Sequence, residues 1–328
     1  MLFVTNRRLN EGRRSSAGRS ISFDLTDSEP GASLYFCQRR GAGIYEELLS
    51  APFLGRLRRS PRQQILLVAH GFNCQPEQDV FPRAIELQGL CDQLAPGLVE
   101  VVPLVWPCDD DFGVVLDYWD DQASAEISGR AFARLIGKFM DWRDRAAPEE
   151  ICLKHVNILA HSMGNRMLRS ALASWAADYG AAPAIFRNIF MMAADVANEC
   201  LEAGRDGAAI PQAARNLVVY HAGDDFALRS SKVANVKNKI VSGRLGHTGP
   251  ERMDRVPANV TAVDCDVINS AYDRLGHTYF LGDRQGRPGA VLRHLVEIMR
   301  TGRPGTRRQV LSEVPAAAND DLAGARVA

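Results

Sequence analysis

Short uninterrupted apolar runs alternate along the chain with longer stretches in which apolar residues recur every three or four positions. Ile65-Leu66-Leu67-Val68-Ala69 is the clearest run, bounded by Gln64 and His70, and reads as a strand covered on both faces. Similar runs recur at residues 99–106, 155–160, 185–193, 217–220 and 260–263. Helical spacing marks residues 81–94, 123–142, 166–177, 230–236 and 287–299. Strands alternating with helices predict an α/β fold with a doubly wound, mostly parallel sheet. Upstream, residues 1–5, 21–25 and 33–38 are short, partly alternating and separated by Gly, Pro and Arg. They predict weak strands forming a small antiparallel N-terminal edge.

This divides the chain into edge strands and loops over residues 1–63, a main α/β domain over 64–300 and a tail over 301–328. The tail is rich in Arg, Ala, Gly and Asp without periodicity and is expected to be disordered. No internal repeat is present. Sheets of this kind bind ligands outside the carboxyl ends of their strands, so the residues just past each apolar run are the chemical candidates.

The strongest of these is Ala160-His161-Ser162-Met163-Gly164-Asn165, leading from a predicted strand into a predicted helix. A serine on such a tight turn is the pattern of a nucleophile elbow, which needs small residues two positions to each side. Here they are Ala160 and Gly164; glycine is usual at both places. The bland reading is a strand–turn–helix with a serine N-cap. Val68-Ala69-His70-Gly71-Phe72-Asn73 ends the first buried run, where this architecture supplies an oxyanion-hole amide. The expected donors are the backbone N–H groups of Phe72 and Met163. His70 precedes the serine and reads as structural.

The acid that orients the base is expected after the run at 217–220, in Gly223-Asp224-Asp225. Asp225 is the better placed and Asp224 the alternative. Chain order then requires a later histidine, leaving His247, His277 and His294. His294 lies within a helical segment, and His247 lies in a turn-rich loop with no buried run before it. His277 follows the last run and is the expected base.

Composition removes several function classes. Lys+Arg and Asp+Glu both number 39 in 328 residues, which argues against a broadly basic nucleic-acid surface. The cluster Arg7, Arg8, Arg13, Arg14 and Arg19 reads as a solvated segment. Seven scattered cysteines contain no C-x-x-C pair, so neither a zinc site nor a redox dithiol is signalled. No metal or organic cofactor is expected. There is no signal-peptide run and no apolar stretch of membrane-spanning length, and a cytoplasmic location is expected.

With the order Ser162, Asp225, His277 in place, the sequence resembles a largely bacterial branch of α/β hydrolases catalogued as domain of unknown function 900. The resemblance rests on Thr5-Asn6-Arg7, His70-Gly71-Phe72-Asn73, Trp106-Pro107, Ser124-Ala125 with Ser128, and His161-Ser162-Met163-Gly164-Asn165. It continues through Asp225-x-Ala227-Leu228, Arg244-Leu245-Gly246 with Gly249-Pro250, and Gly276-His277. It implies the α/β-hydrolase fold, with a triad on Ser162, Asp225 and His277.

Residues 107–143 separate the second buried run from the elbow and are expected to form a helical lid insertion. Trp106, Phe112, Tyr118 and Trp119 would line a substrate pocket there. The acids Asp109, Asp110, Asp111, Asp117, Asp120 and Asp121 read as a solvated loop and helix start. The sharper alternative is a preference for cationic or neutral substrates. The expected activity is hydrolysis of small-molecule carboxylic esters by a serine nucleophile. An amidase or peptidase, an acyltransferase with the same triad, and a non-catalytic binding scaffold are the alternatives.

Overall fold

A computed structural model describes the chain except residues 26, 109–115, 148–151, 226–227, 229–242, 273–275, 284 and 313–328, and gives only the backbone for 116–119. Eleven described strands form one sheet in the order β11-β10-β9-β8-β7-β5-β6-β1-β3-β4-β2. They are β1 (Leu2–Thr5), β2 (Ser20–Ile21), β3 (Tyr35–Gly41), β4 (Ile44–Glu47), β5 (Gln64–Ala69) and β6 (Val99–Val105). β7 (His155–His161), β8 (Phe186–Met192), β9 (Ala214–His221), β10 (Val260–Asp264) and β11 (Arg308–Val310) complete it. Pairing is parallel from β11 through β1 and antiparallel among β1, β3, β4 and β2. The fold is the expected α/β architecture.

Each apolar run sends alternate residues to opposite faces. Ile65 and Ala69, Ile158 and Ala160, Ile189 and Met191, and Leu217 and Val219 enter one core. Leu66, Leu159, Phe190 and Val218 enter the other. Helices cover both sides. On the first lie α1 (Ser50–Arg59), α3 (Leu116–Asp144) and α4 (Gly164–Tyr179). On the second lie most of the buried residues of α2 (Phe81–Leu94), together with α8 (Ala290–Thr301). Short helical turns occur at α5 (Ala209–Gln212), α6 (Leu245–Thr248) and α7 (Asn269–Tyr272).

A row of buried amides ties the strands together near their starts. Asn216 Nδ2 donates to Asn188 Oδ1 at 2.8 Å, Asn188 Nδ2 to Asn157 Oδ1 at 2.7 Å, and Asn157 Nδ2 to Gln64 Oε1 at 3.0 Å. Gln64 Nε2 closes the row on the Met299 carbonyl of α8 at 2.9 Å. A strand slipped by one residue would break the links its own amide makes, so the row fixes register.

Four expectations change. β1 pairs in parallel with β6 as well as antiparallel with β3, so it joins the two halves of the sheet instead of belonging wholly to an edge. β4 and α1, which the apolar pattern does not mark, are present; α1 has only three large apolar residues, Phe53, Leu54 and Leu57, all of them buried. Part of the expected tail is structured, because Arg308–Val310 pairs with β10 as β11; three residues are too few to show alternation. The expected lid is largely a flanking helix. Ala125, Ala131, Phe132 and Ile136 of α3 are buried in the core, and Gly129 lies where a Cβ would stand 2.7 Å from the Met167 carbonyl of α4. The predicted helix at 230–236 lies outside the described residues.

Candidate active site

Strand register brings the predicted residues to one edge of the sheet. Ala69 of β5 pairs with Ala160 of β7, so residues 70–72 leave the sheet beside 161–163. His161 pairs with Met192, Met192 with Tyr220, and His221 with Asp264. The segments carrying Ser162, Asp225 and His277 therefore follow the ends of β7, β9 and β10, with β8 between the first two.

Ser162 has φ 52°, in the left-handed region, which a non-glycine residue adopts at a cost. The surroundings hold it there. Its N–H donates to the Met192 carbonyl at 2.9 Å, and its own carbonyl accepts from Asn165 N at 3.1 Å and Asp195 N at 3.2 Å. Asn165 Nδ2 also bonds the Ala160 carbonyl at 2.8 Å and the Ser162 carbonyl at 3.0 Å. A Cβ on Gly164 would stand 2.5 Å from the His70 carbonyl oxygen and 2.6 Å from that of Ala69, so only glycine fits. Ala160 is fully buried in the core and its methyl is accommodated. Met163 is buried and is the N-cap of α4, whose positive dipole end faces the turn.

His70 is a structural histidine. Its Nε2 accepts from Trp106 N at 3.2 Å, so the proton is on Nδ1, which donates to the Gly71 carbonyl at 2.9 Å. Its ring stacks on Trp106 at 4.9 Å with a 2° interplanar angle, and Trp106 Nε1 donates to the His70 carbonyl at 3.0 Å. Burial drives its pKa down to about 3, so the ring is neutral. Trp106 is fully buried beneath this loop; contrary to expectation it has no surface for a substrate and acts as a wedge. Phe72 packs partly buried against the core. Asn73, at φ 52°, donates its N–H to Asp121 at 3.3 Å. Phe112 and the side chains of Tyr118 and Trp119 lie outside the described residues.

The two acids separate by their partners. Asp225 is fully buried; its Oδ2 lies 2.7 Å from His277 Nδ1 and its Oδ1 accepts from Leu228 N at 3.0 Å. Asp224 instead bonds the side-chain amide of Asn269, which also reaches the Gly276 carbonyl at 3.3 Å. Asp224 thus stitches its own loop to the one that carries His277. His294 bonds Tyr220 Oη through Nδ1 at 3.0 Å. His247 stands on α6, and its buried Nε2 has no hydrogen-bond partner among the described residues.

Other residues around the elbow carry no clear signal in the sequence. Asp195, almost fully buried, faces Arg166 Nε at 3.3 Å and Arg244 Nε at 3.2 Å. With its N–H on the Ser162 carbonyl, it connects α4, the turn before α6 and the elbow. In the sequence, a single Asp after Ala193-Ala194 stands out in no way.

Among the described residues no three His, Cys, Asp or Glu side chains are grouped to hold a metal ion. No described helix is long and apolar enough to cross a membrane. An interior cavity of about 70 Å³ lies between the sheet and α1, α3 and α4, lined by residues such as Phe53, Phe132, Trp142 and Met167, and it contains none of the candidate site residues. No curated protein matches the chain. The parallel sheet, the left-handed Ser162 turn and the Asp225–His277 pair accord with the match of residues 47–287 to a family model, and the chain belongs to that family, the alpha/beta hydrolases of unknown function designated DUF900.

Proposed function

We propose that the protein is a serine hydrolase that cleaves small-molecule carboxylic esters through an acyl-enzyme on Ser162. The observation that carries this reading is the 2.7 Å contact between His277 Nδ1 and buried Asp225, at the sheet edge where Ser162 turns with φ 52°. Nδ1–H donating to Asp225 leaves Nε2 as the base.

In the proposed sequence Nε2 takes the Ser162 hydroxyl proton while Oγ bonds the ester carbon and the carbonyl π pair moves onto oxygen. The backbone N–H groups of Phe72 and Met163 receive that oxyanion, each contributing about 3–4 kcal/mol. The C–O bond to the alcohol breaks, and His277 returns the proton to the leaving oxygen. Water then attacks the acyl carbon, giving its proton to His277; the carbonyl re-forms as the C–Oγ bond breaks, His277 returns the proton to Oγ, and the carboxylic acid leaves. Asp225 stays ionised and holds the imidazolium in place.

The test is turnover of p-nitrophenyl acetate by wild type and Ser162→Ala, with fluorophosphonate labelling in parallel. The variant should fold, turn over no ester and take no label; wild-type rates in the variant would overturn the assignment.

A further inference from the structure

His161, the last residue of β7, is buried beside Ser162. Its Nε2 lies 3.1 Å from the backbone carbonyl oxygen of His277. Only an N–H bonds a carbonyl oxygen, so in the neutral ring the proton is on Nε2 and Nδ1 is bare. Burial first, and the neighbouring His277 second, hold the pKa of this ring well below 6.5. The ring is packed on three sides. The His277 ring is 4.7 Å away between centroids and the Phe280 ring 4.9 Å. A Cβ on Gly71 would stand 3.1 Å from Nδ1. One side chain therefore touches the loop after β5 and the segment carrying the base, while its backbone continues into Ser162.

We infer that His161 is a positioning residue: its Nε2–H holds the His277 backbone at a set distance from the Ser162 turn. The inference rests on the proposed serine mechanism. His277 lies outside any strand or helix, whereas β7 is paired on both sides, with β5 and β8. A hydrogen bond from the end of that strand to the base residue transfers the strand's rigidity to a loop. A base displaced by about 1 Å loses about 100-fold in rate, so loss of this bond should appear in the chemical step and not in substrate binding. A ring that stays neutral also adds no positive charge next to the imidazolium that forms on His277.

Substitutions separate the N–H from the packing. His161→Phe keeps the ring and removes the donor. His161→Gln places an N–H at the reach of Nε2, and His161→Asn places one too short. With p-nitrophenyl acetate, the Phe and Asn variants should lose about 10- to 100-fold in kcat with KM unchanged, and fluorophosphonate labelling should slow in parallel. The Gln variant should recover most of both rates. Wild-type labelling by the Phe variant, or equal rates for Gln and Asn, overturns the inference; the Gln–Asn comparison decides if the Phe variant does not fold. Ser162→Ala separates the two levels. If it still turns over substrate, the serine mechanism fails; if it is silent while the His161 variants match wild type, only the positioning role fails.

Discussion

His277 and Asp225 stand 52 residues apart in sequence and 2.7 Å apart in space, imidazole Nδ1 against a carboxylate with no exposed surface. Asp224, one residue earlier, bonds Asn269 instead. In the proposed mechanism the two acids should respond very differently to amidation. Asp225→Asn is expected to lower kcat by about 10³- to 10⁴-fold, since the amide cannot hold the working tautomer. Asp224→Asn should act on stability, at about 1 kcal/mol, with kcat largely kept. Measuring ester turnover and the urea midpoint of both variants checks this; a larger catalytic loss at Asp224 would reverse the assignment.

Gly164 lies against two carbonyl oxygens of the neighbouring strand end. Gly164→Ala should cost about 2–3 kcal/mol through overpacking. Gly89, exposed on α2 with nothing within 4 Å of the place a methyl would occupy, provides the contrast: Gly89→Ala should stabilise by about 0.5–1 kcal/mol. Chemical denaturation of both reads the difference, and equal midpoints would show that residues 69–70 yield to the methyl.

Acid should weaken the fold through its buried histidines. Burial lowers the pKa of His70 to about 3 and that of His161 well below 6.5. The unfolded chain therefore binds more protons than the folded one below pH 6.5, and stability falls as pH drops from 6.5 toward 3. The slope is at most about 1.4 kcal/mol per pH unit for each histidine. Glu77, held at about 2 first by Arg39 and also by Tyr45, adds a loss only below about pH 4.5. Urea midpoints at pH 7 and pH 5 test this, and His70→Gln should flatten the difference; an unaltered slope would assign the effect elsewhere.

The amide row predicts a register defect. Asn188 bonds Asn157 and Asn216, and all three are buried. Asn188→Ala removes the donor to Asn157 Oδ1 and leaves Asn216 Nδ2 with its bond to the Gly302 carbonyl at 3.1 Å, and should cost about 1–3 kcal/mol. Amide hydrogen exchange in β8 and β9 should rise with the loss. A change confined to residue 188 would mean that water replaces the missing group.

The fold is legible in the sequence because each parallel strand is covered on both faces, so its apolar run is continuous; the five residues from Ile65 show this best. Of the elements that escape, β4 and β11 lie in the outer strands, where neither length nor alternation stands out, and α1 carries only three large apolar residues. The site is legible where chemistry forces a residue type. A serine on a left-handed turn needs Gly164, and the proposed base needs a later histidine. His161 and Asp195 are not legible as participants, because their partners are backbone atoms and arginines brought close only by folding. Trp106 reads as a pocket residue because its position past a strand end is shared by ligand-facing and wedge residues alike, and only the stacked His70 distinguishes them.

The turn at Ser162 carries a further consequence. An L side chain at φ 52° costs about 1–2 kcal/mol that glycine does not incur. Ser162→Gly should therefore melt later than wild type while losing all turnover, and Ser162→Ala should lose turnover without that gain. Heat resistance and chemistry thus pull this one codon in opposite directions, and a screen for thermostability alone would favour the inert protein.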